Sequence, residues 1–181
     1  MTTDQETQVS SFFSTTDADL TTDRLILRSW TPDEVAAALN GARPAHWVHD
    51  FPAEGDQVIA SLLAEHPAWL GEYGHRQIIE RDSGLVVGSI GLFWPPDDGA
   101  LEIGYGIVPS RRGLGYASEA ARALTGFALT APGVHMVYAD VELSNPPSIR
   151  VLEKAGFQRS HTDTEQGTAR FTSNAAPTAR R

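Results

Sequence analysis

The sequence predicts one α/β domain with a mixed, largely antiparallel sheet of about seven strands flanked by helices. Its 181 residues suit a single domain with a sizeable core. Strand-like and helix-like patterns of apolar residues follow one another as strand, two helices, three strands, helix, strand, helix and two strands. Two of the central strands are separated only by Asp82-Ser83-Gly84, and so short a connection joins antiparallel neighbours.

The first third of the chain holds one strand and two helices. Residues 1–19 are rich in Thr, Ser and Asp and lack apolar periodicity, which predicts a flexible N-terminal arm. Residues 24–28 form the first strand, and Thr31 caps a helix over residues 32–40. A loop then leads to a second helix over residues 56–65.

Three strands follow and form the centre of the sheet. The first two, residues 77–81 and 85–93, make the hairpin. In the third, residues 101–108, Leu101, Ile103, Tyr105 and Ile107 fall on one face, which assigns Tyr105 to the core. Glu102 falls on the opposite face.

A glycine-containing turn joins this strand to a helix over residues 117–129. It reads Arg112-Gly113-Leu114-Gly115-Tyr116-Ala117. The two glycines allow positive φ and a close approach of the backbone to a ligand. The N-terminus of the following helix offers unpaired N–H groups and the positive end of its dipole. Together these features predict a binding site for a phosphate or pyrophosphate.

The turn is not specific for one phosphate ligand. A P-loop is excluded because no Gly-Lys-Ser or Gly-Lys-Thr follows. A dinucleotide-binding fingerprint fits poorly, since Ser118 replaces the third small residue and four residues separate the strand from Gly113. A dinucleotide-binding oxidoreductase therefore stays as an alternative from another class.

The last third of the chain alternates strands and a helix. After a strand over residues 135–141, Asn145 and Pro146 provide an N-cap and first helical residue, and Gly156 ends that helix. Strands are expected over residues 157–161 and 169–172. The domain is thus predicted over residues 20–172, with a disordered tail over residues 173–181.

The order of these motifs resembles the GNAT superfamily of acetyl-CoA-dependent N-acetyltransferases. The resemblance lies in the Arg-Gly-Leu-Gly-Tyr-Ala turn, the Asn-x-x-Ser motif at residues 145–148 and Glu-Lys-Ala-Gly-Phe at residues 153–157, and it covers about residues 20–171. Residues 22–28 resemble the opening strand of the branch that acetylates ribosomal-protein N-termini, as in ribosomal-protein-alanine N-acetyltransferases.

The resemblance implies how acetyl-CoA is held. Backbone N–H groups of the turn hold the pyrophosphate, and the end of the preceding strand binds the pantetheine arm and offers one N–H to the thioester carbonyl. Asn145 contacts the same arm or acts only as a helix cap. The cofactor-binding residues implied are Ile107, Val108, Arg112, Gly113, Leu114, Gly115, Tyr116, Ala117, Asn145 and Ser148.

Two side chains are candidates for catalysis. Glu102 either accepts the proton of the amine, fixes a cationic acceptor or is an ordinary strand carboxylate. Many family members place a tyrosine acid seven residues after the asparagine, but that position is Leu152 here. Ser148 matches the serine of the N-terminal-acetylating branch and either donates a proton to the leaving sulfur or completes the helix cap.

The predicted function is transfer of an acetyl group to a primary amine, on a protein N-terminus or a small molecule. Because the chain has no cysteine, direct attack is favoured over a covalent acyl-enzyme. A non-catalytic acyl-CoA-binding or regulatory domain is the other alternative to be tested.

Composition and charge limit the partners and cofactors that the protein can be expected to bind. A net charge of −9 argues against nucleic acid as a partner and mildly favours a cationic substrate. No apolar run approaches the roughly 20 residues of a membrane span, and the absence of cysteine excludes disulfides and thiolate metal sites. The six histidines lack metal-binding spacing, so we expect no metal. A cytoplasmic location is expected, and a homodimer stays open.

Overall fold

A computed structural model describes residues 18–176, which contain eight strands and four α-helices. The strands are β1 (Leu20–Thr21), β2 (Leu25–Ser29), β3 (His75–Glu80), β4 (Leu85–Leu92), β5 (Ala100–Ile107), β6 (Met136–Glu142), β7 (Gln158–Asp163) and β8 (Thr168–Asn174). The helices are α1 (Pro32–Asn40), α2 (Glu54–Glu65), α3 (Tyr116–Ala128) and α4 (Pro146–Ala155). Short 3₁₀ turns lie at Pro67–Leu70 and Pro109–Arg111. Residues 1–17 of the predicted arm and 177–181 of the predicted tail lie outside the described residues. The tail prediction was wrong for Ser173 and Asn174, which belong to β8 and pair with Val137 and Met136.

All eight strands belong to one sheet, in the order β1-β2-β3-β4-β5-β6-β8-β7. Every neighbouring pair is antiparallel except β5 and β6, which are parallel and connected through α3. The predicted single α/β domain with a mixed, largely antiparallel sheet is therefore confirmed. The strand that the sequence did not reveal is β1, whose two residues pair with Leu27 and Ile26 but are too few to show a period.

Helix ends follow the capping residues. The Thr31 hydroxyl accepts from the Glu34 N–H at 3.2 Å, and Glu34 accepts in return from the Thr31 N–H at 3.0 Å, so α1 begins where predicted. Helix α2 begins at Glu54, two residues before the predicted start. The reason is Asp56, whose carboxylate accepts from the Ala53 N–H at 2.9 Å and so caps the helix from inside its first turn.

The helices cover opposite faces of the sheet. Ser89 and Ile90 are adjacent in β4 and therefore point to opposite faces. The Ser89 hydroxyl contacts Asp56 of α2. On the other face, Arg76 pairs with Ile90, and its guanidinium lies 5.3 Å from the ring centre of Phe127 in α3. Between residues 18 and 176, no helix has the length and hydropathy that crossing a bilayer requires.

Candidate active site

Strands β5 and β6 separate part of the way along their length. They pair only at Ala100, Leu101 and Glu102, whereas β4 pairs with β5 from Ile103 to Ile107. Among the described residues, the edge of Ile103–Ile107 that faces away from β4 therefore has no strand partner. A wedge-shaped opening results, in which backbone N–H and C=O groups of β5 lack a strand partner, and an extended ligand can pair with such an edge.

The opening ends at the glycine-containing turn. Gly113 and Gly115 both have positive φ, 78° and 82°, which L-residues adopt at a cost. Gly115 is the N-cap of α3, and Tyr116 is the first helical residue. The N–H groups of the first turn of a helix have no intrahelical acceptor, so they are available to a phosphate. The geometry of this turn thus fits the pyrophosphate of acetyl-CoA.

Arg24, the residue before β2, fixes the conformation of the turn. Its Nη1 donates to the Leu114 carbonyl at 2.7 Å, and its Nε donates to Glu119 Oε2 at 2.7 Å. Although burial opposes its ionisation, hydrogen bonds from Thr22 and Arg24 hold the pKa of Glu119 below its usual value. The charged pair ties the first turn of α3 to β2.

Arg112 links the other side of the turn to β5. Its Nε donates to the Ile107 carbonyl at 3.0 Å. The ring of Tyr116 is also fixed, because its hydroxyl donates to Glu80 Oε2 at 2.8 Å. Both side chains are therefore engaged with protein groups.

Asn145 and Ser148 lie at the N-terminus of α4, where Ser148 contacts β5. The Asn145 side chain accepts from the Ser148 N–H at 3.3 Å, so Asn145 caps the helix as predicted. The Ser148 hydroxyl does not serve as a cap. Its Oγ lies 2.8 Å from the Tyr105 hydroxyl, which reaches across from β5.

Tyr105, which the sequence interpretation placed in the core, does pack against the core, but it is only partly buried. Its hydroxyl also donates to the Ser148 carbonyl at 3.2 Å. Burial raises the pKa of Tyr105, while the hydrogen bond to Ser148 opposes the rise. The phenol thus carries its proton at neutral pH. In the sequence, a tyrosine on an otherwise apolar strand face was the one indication that its hydroxyl has a hydrogen-bond partner inside the protein.

Leu152, where many family members have a tyrosine, is fully buried. It belongs to the hydrophobic core and cannot donate a proton. The pair formed by Tyr105 and Ser148 is thus the hydroxyl pair that the described residues bring to this side of the opening.

Glu102 lies where β5 and β6 begin to separate. Its backbone pairs with Tyr138, and by alternation its side chain shares a face with Gly104 and Gly106. Burial and the negative charge of Asp140 raise the pKa of Glu102, and Arg170 opposes the rise. Arg170 itself is held by Asp140, with Nη2 2.6 Å from Oδ2. A carboxylate with a raised pKa suits either proton transfer or cation binding.

A cavity of about 250 Å³ adjoins β5 on the face covered by α2. Its wall includes Gly104 to Ile107 of β5, and its polar lining comes from Asp56, His75, Ser89 and Arg112. The sequence interpretation named Asp56 only as a helix residue, because a capping aspartate and a cavity carboxylate look the same in sequence. Burial raises the pKa of Asp56, while Ser89, the Ala53 N–H and the charge of Arg112 oppose the rise.

The comparisons with known proteins identify the family of the chain. The family model of the acetyltransferase (GNAT) domain matches residues 24–158. The uncharacterized N-acetyltransferase YjdG of Bacillus subtilis is 37% identical over 89 residues, which are 49% of this chain and 53% of the relative. The uncharacterized N-acetyltransferase YoaA of the same organism is 30% identical over 146 residues, 77% of this chain and 82% of the relative. The chain thus spans about half the length of the first of these relatives.

Solved structures share the fold. A candidate ribosomal-protein-serine acetyltransferase from Vibrio cholerae superposes with a TM-score of 0.62 at 19% identity, covering 88% of this chain and 98% of that protein. At this identity the similarity establishes the arrangement of the strands and helices.

Proposed function

The chain belongs to the GNAT family of acetyltransferases, and we propose that it transfers the acetyl group of acetyl-CoA to a primary amine by direct attack. The observation that carries the proposal is the opening between β5 and β6, with a free strand edge that ends at the turn before α3. That arrangement suits a ligand with an extended amide-containing arm at one end and phosphates at the other.

The acyl donor supplies its acetyl group as a thioester. In the proposed step the amine nitrogen attacks the thioester carbonyl, so that a C–N bond forms and the C–S bond breaks. A backbone N–H of the free β5 edge, on the Glu102 side of Ile107, donates to the developing oxyanion, because the Val108 N–H already donates to the Val87 carbonyl at 3.0 Å. Glu102 takes the proton that the amine loses, directly or through water, and the leaving thiolate takes a proton from Ser148. Tyr105, 2.8 Å from Ser148, replaces that proton.

The acceptor we propose is the amino terminus of a protein, with small amines as the second candidate. Residues 22–28 and the Asn-x-x-Ser motif resemble the branch that acetylates ribosomal proteins. The structural neighbour from Vibrio cholerae bears a name of the same kind. Polyamines, aminoglycosides and amino-acid derivatives are the small amines to compare.

Release of free coenzyme A tests both parts of the proposal. Peptides beginning with Ala or Ser are offered with acetyl-CoA, in parallel with polyamines and aminoglycosides, and the thiol is measured. Fast release with peptides supports the N-terminal acceptor, and release only with small amines supports the second candidate. Saturable acetyl-CoA binding without thiol release from any amine identifies a non-catalytic acyl-CoA-binding domain.

Thermal unfolding distinguishes the proposed acetyltransferase from the alternative of a dinucleotide-binding oxidoreductase. A ligand at 100 times its Kd stabilises the native state by about 2.7 kcal/mol. We expect coenzyme A to raise the melting temperature and NAD to leave it unchanged. The reverse result contradicts the proposal.

A further inference from the structure

The cavity beside β5 is well placed to receive the acceptor. It lies between the first turn of α2 and strands β3, β4 and β5, on the face of the sheet opposite α3. One wall is the segment from Gly104 to Ile107, whose other edge forms the opening proposed to hold the acyl donor. Only this segment of β5 therefore lies between an amine in the cavity and the proposed donor site.

The cavity contains a buried carboxylate without a close counter-ion. Asp56 is 4% exposed, and its oxygens accept from the Ala53 N–H and the Ser89 hydroxyl. No ion pair within 4 Å between residues 18 and 176 includes Asp56. Arg112 acts on it only as a through-space charge and is itself exposed. A buried anion in this state favours a cation as its ligand.

A second buried group in the same cavity lacks a partner. His75 is 1% exposed, and among the described residues nothing bonds to its Nε2. Its ring lies between Trp69, 5.8 Å away between centroids, and Phe93, 5.0 Å away. A Cβ at position 91 would lie 2.0 Å from His75 Nδ1, so Gly91 makes the space for the ring.

The imidazole of His75 has a defined charge state. Burial lowers its pKa to about 4, so the ring is neutral at physiological pH and one nitrogen can accept a hydrogen bond. A buried acceptor without a donor costs free energy, and a ligand N–H that reaches it recovers that cost.

We propose that this cavity is the acceptor subsite, in which Asp56 is the counter-ion of the acceptor's ammonium group and His75 Nε2 accepts one of its hydrogen bonds. The inference rests on the proposed function and deepens it by naming the substrate class. A volume of about 250 Å³ is smaller than the roughly 300–1,000 Å³ of pockets for drug-sized ligands. The cavity therefore takes an aliphatic ammonium with a compact substituent, such as the amino end of a peptide with a small first side chain.

Binding is tested without reference to turnover. Propylammonium is titrated into the full chain and followed by ligand-observed NMR, with wild type, Asp56→Asn and Glu54→Gln compared. Glu54 is the matched control, because it lies in the same turn of α2 but is exposed and outside the cavity lining. We expect saturable binding in wild type and Glu54→Gln, and at least tenfold weaker binding in Asp56→Asn. Absence of saturable binding in wild type, or equal binding in all three, overturns the inference.

Kinetics separate a charge effect from a structural one. O-Ethylhydroxylamine has the shape of propylamine but is uncharged at neutral pH. In Asp56→Asn we expect KM to rise about tenfold or more for propylamine and to stay within about twofold for the uncharged amine. An equal change for both acceptors identifies Asp56 as a helix cap only and overturns the inference.

His75→Phe provides an independent variant if Asp56→Asn does not fold. It keeps an aromatic ring and removes Nε2, and we expect it to weaken propylammonium binding several-fold. Undiminished binding overturns the role of His75. If wild type binds propylammonium and acetyl-CoA yet releases no thiol with any amine, the proposed catalysis fails while the subsite stands.

Discussion

At the scale of single residues, the structure distinguishes the two roles that the sequence left open for Ser148, proton donor or helix cap. Asn145 supplies the cap through its side chain, and Ser148 contributes only its backbone N–H. We therefore expect Ser148→Ala to lower kcat about tenfold or more, with acetyl-CoA affinity and melting temperature little changed, since proton donation acts mainly in the transition state. Steady-state kinetics and calorimetric titration measure these quantities.

Tyr105→Phe is the companion variant for Ser148. If Tyr105 supplies the proton that Ser148 passes on, its removal lowers kcat by a similar factor, and the double variant is no worse than either single one. A lower melting temperature with an unchanged kcat would show that the hydrogen bond between Tyr105 and Ser148 only stabilises the packing of α4 on β5.

Glu102 makes a prediction about pH. As a base it works in its ionised form, so activity falls as pH decreases through its pKa, and burial together with Asp140 places that pKa above 4.5. Glu102→Gln should lower turnover and remove the acidic limb of the kcat/KM profile. A higher acceptor KM with the limb retained assigns cation binding instead, and wild-type kinetics across pH contradict both roles.

At the scale of elements, substitution of a glycine tests whether the turn before α3 binds the pyrophosphate of acetyl-CoA. Gly115→Ala places a Cβ at positive φ, about 1–2 kcal/mol of strain, and 3.3 Å from Arg24 Nη2. Gly133→Ala has nearly the same φ, +79°, and nothing within 4 Å, so it matches the strain away from the turn. We expect both to lose comparable stability in urea, and only Gly115→Ala to bind acetyl-CoA more weakly by calorimetry. Equal affinities in the two variants would count against the pyrophosphate site.

At the scale of the whole molecule, His75 makes stability sensitive to acid. Its pKa is about 4 in the folded protein against 6.5 as the reference value. The unfolded chain therefore binds the extra proton first, and the contribution of His75 is complete above pH 6.5 and lost as pH falls towards 4. The difference corresponds to about 3 kcal/mol.

The stability prediction compares two proteins at two pH values. Urea unfolding at pH 7 and pH 4 should show wild type losing about 3 kcal/mol more than His75→Phe. The carboxylates titrate in both proteins and cancel in the comparison. A loss of equal size in both would mean that the imidazole ionises in the folded state without penalty.

The sequence predicted the parts of the fold that local chemistry determines. The caps of α1 and α4, the hairpin and the turn before α3 were predictable, because Thr31, Asn145 and the glycines act within a few residues of themselves. The contact between Tyr105 and Ser148 spans 43 positions, and the one between Asp56 and Ser89 spans 33. Such contacts depend on strand order and helix placement, which no local pattern encodes. The elements that carry the proposed donor site were therefore predictable, whereas the long-range side-chain contacts beside the proposed acceptor site were not.

The Arg24 contacts with the turn have a consequence for how a ligand associates. They join residues 90 and 95 positions apart, so the turn takes its shape when the edge and centre of the sheet come together during folding. The turn is therefore already ordered before a ligand binds, and little binding free energy is spent on ordering its backbone. Changes at Arg24 are therefore expected to alter affinity by freeing the backbone of the turn, which raises the entropy that a ligand must remove on binding.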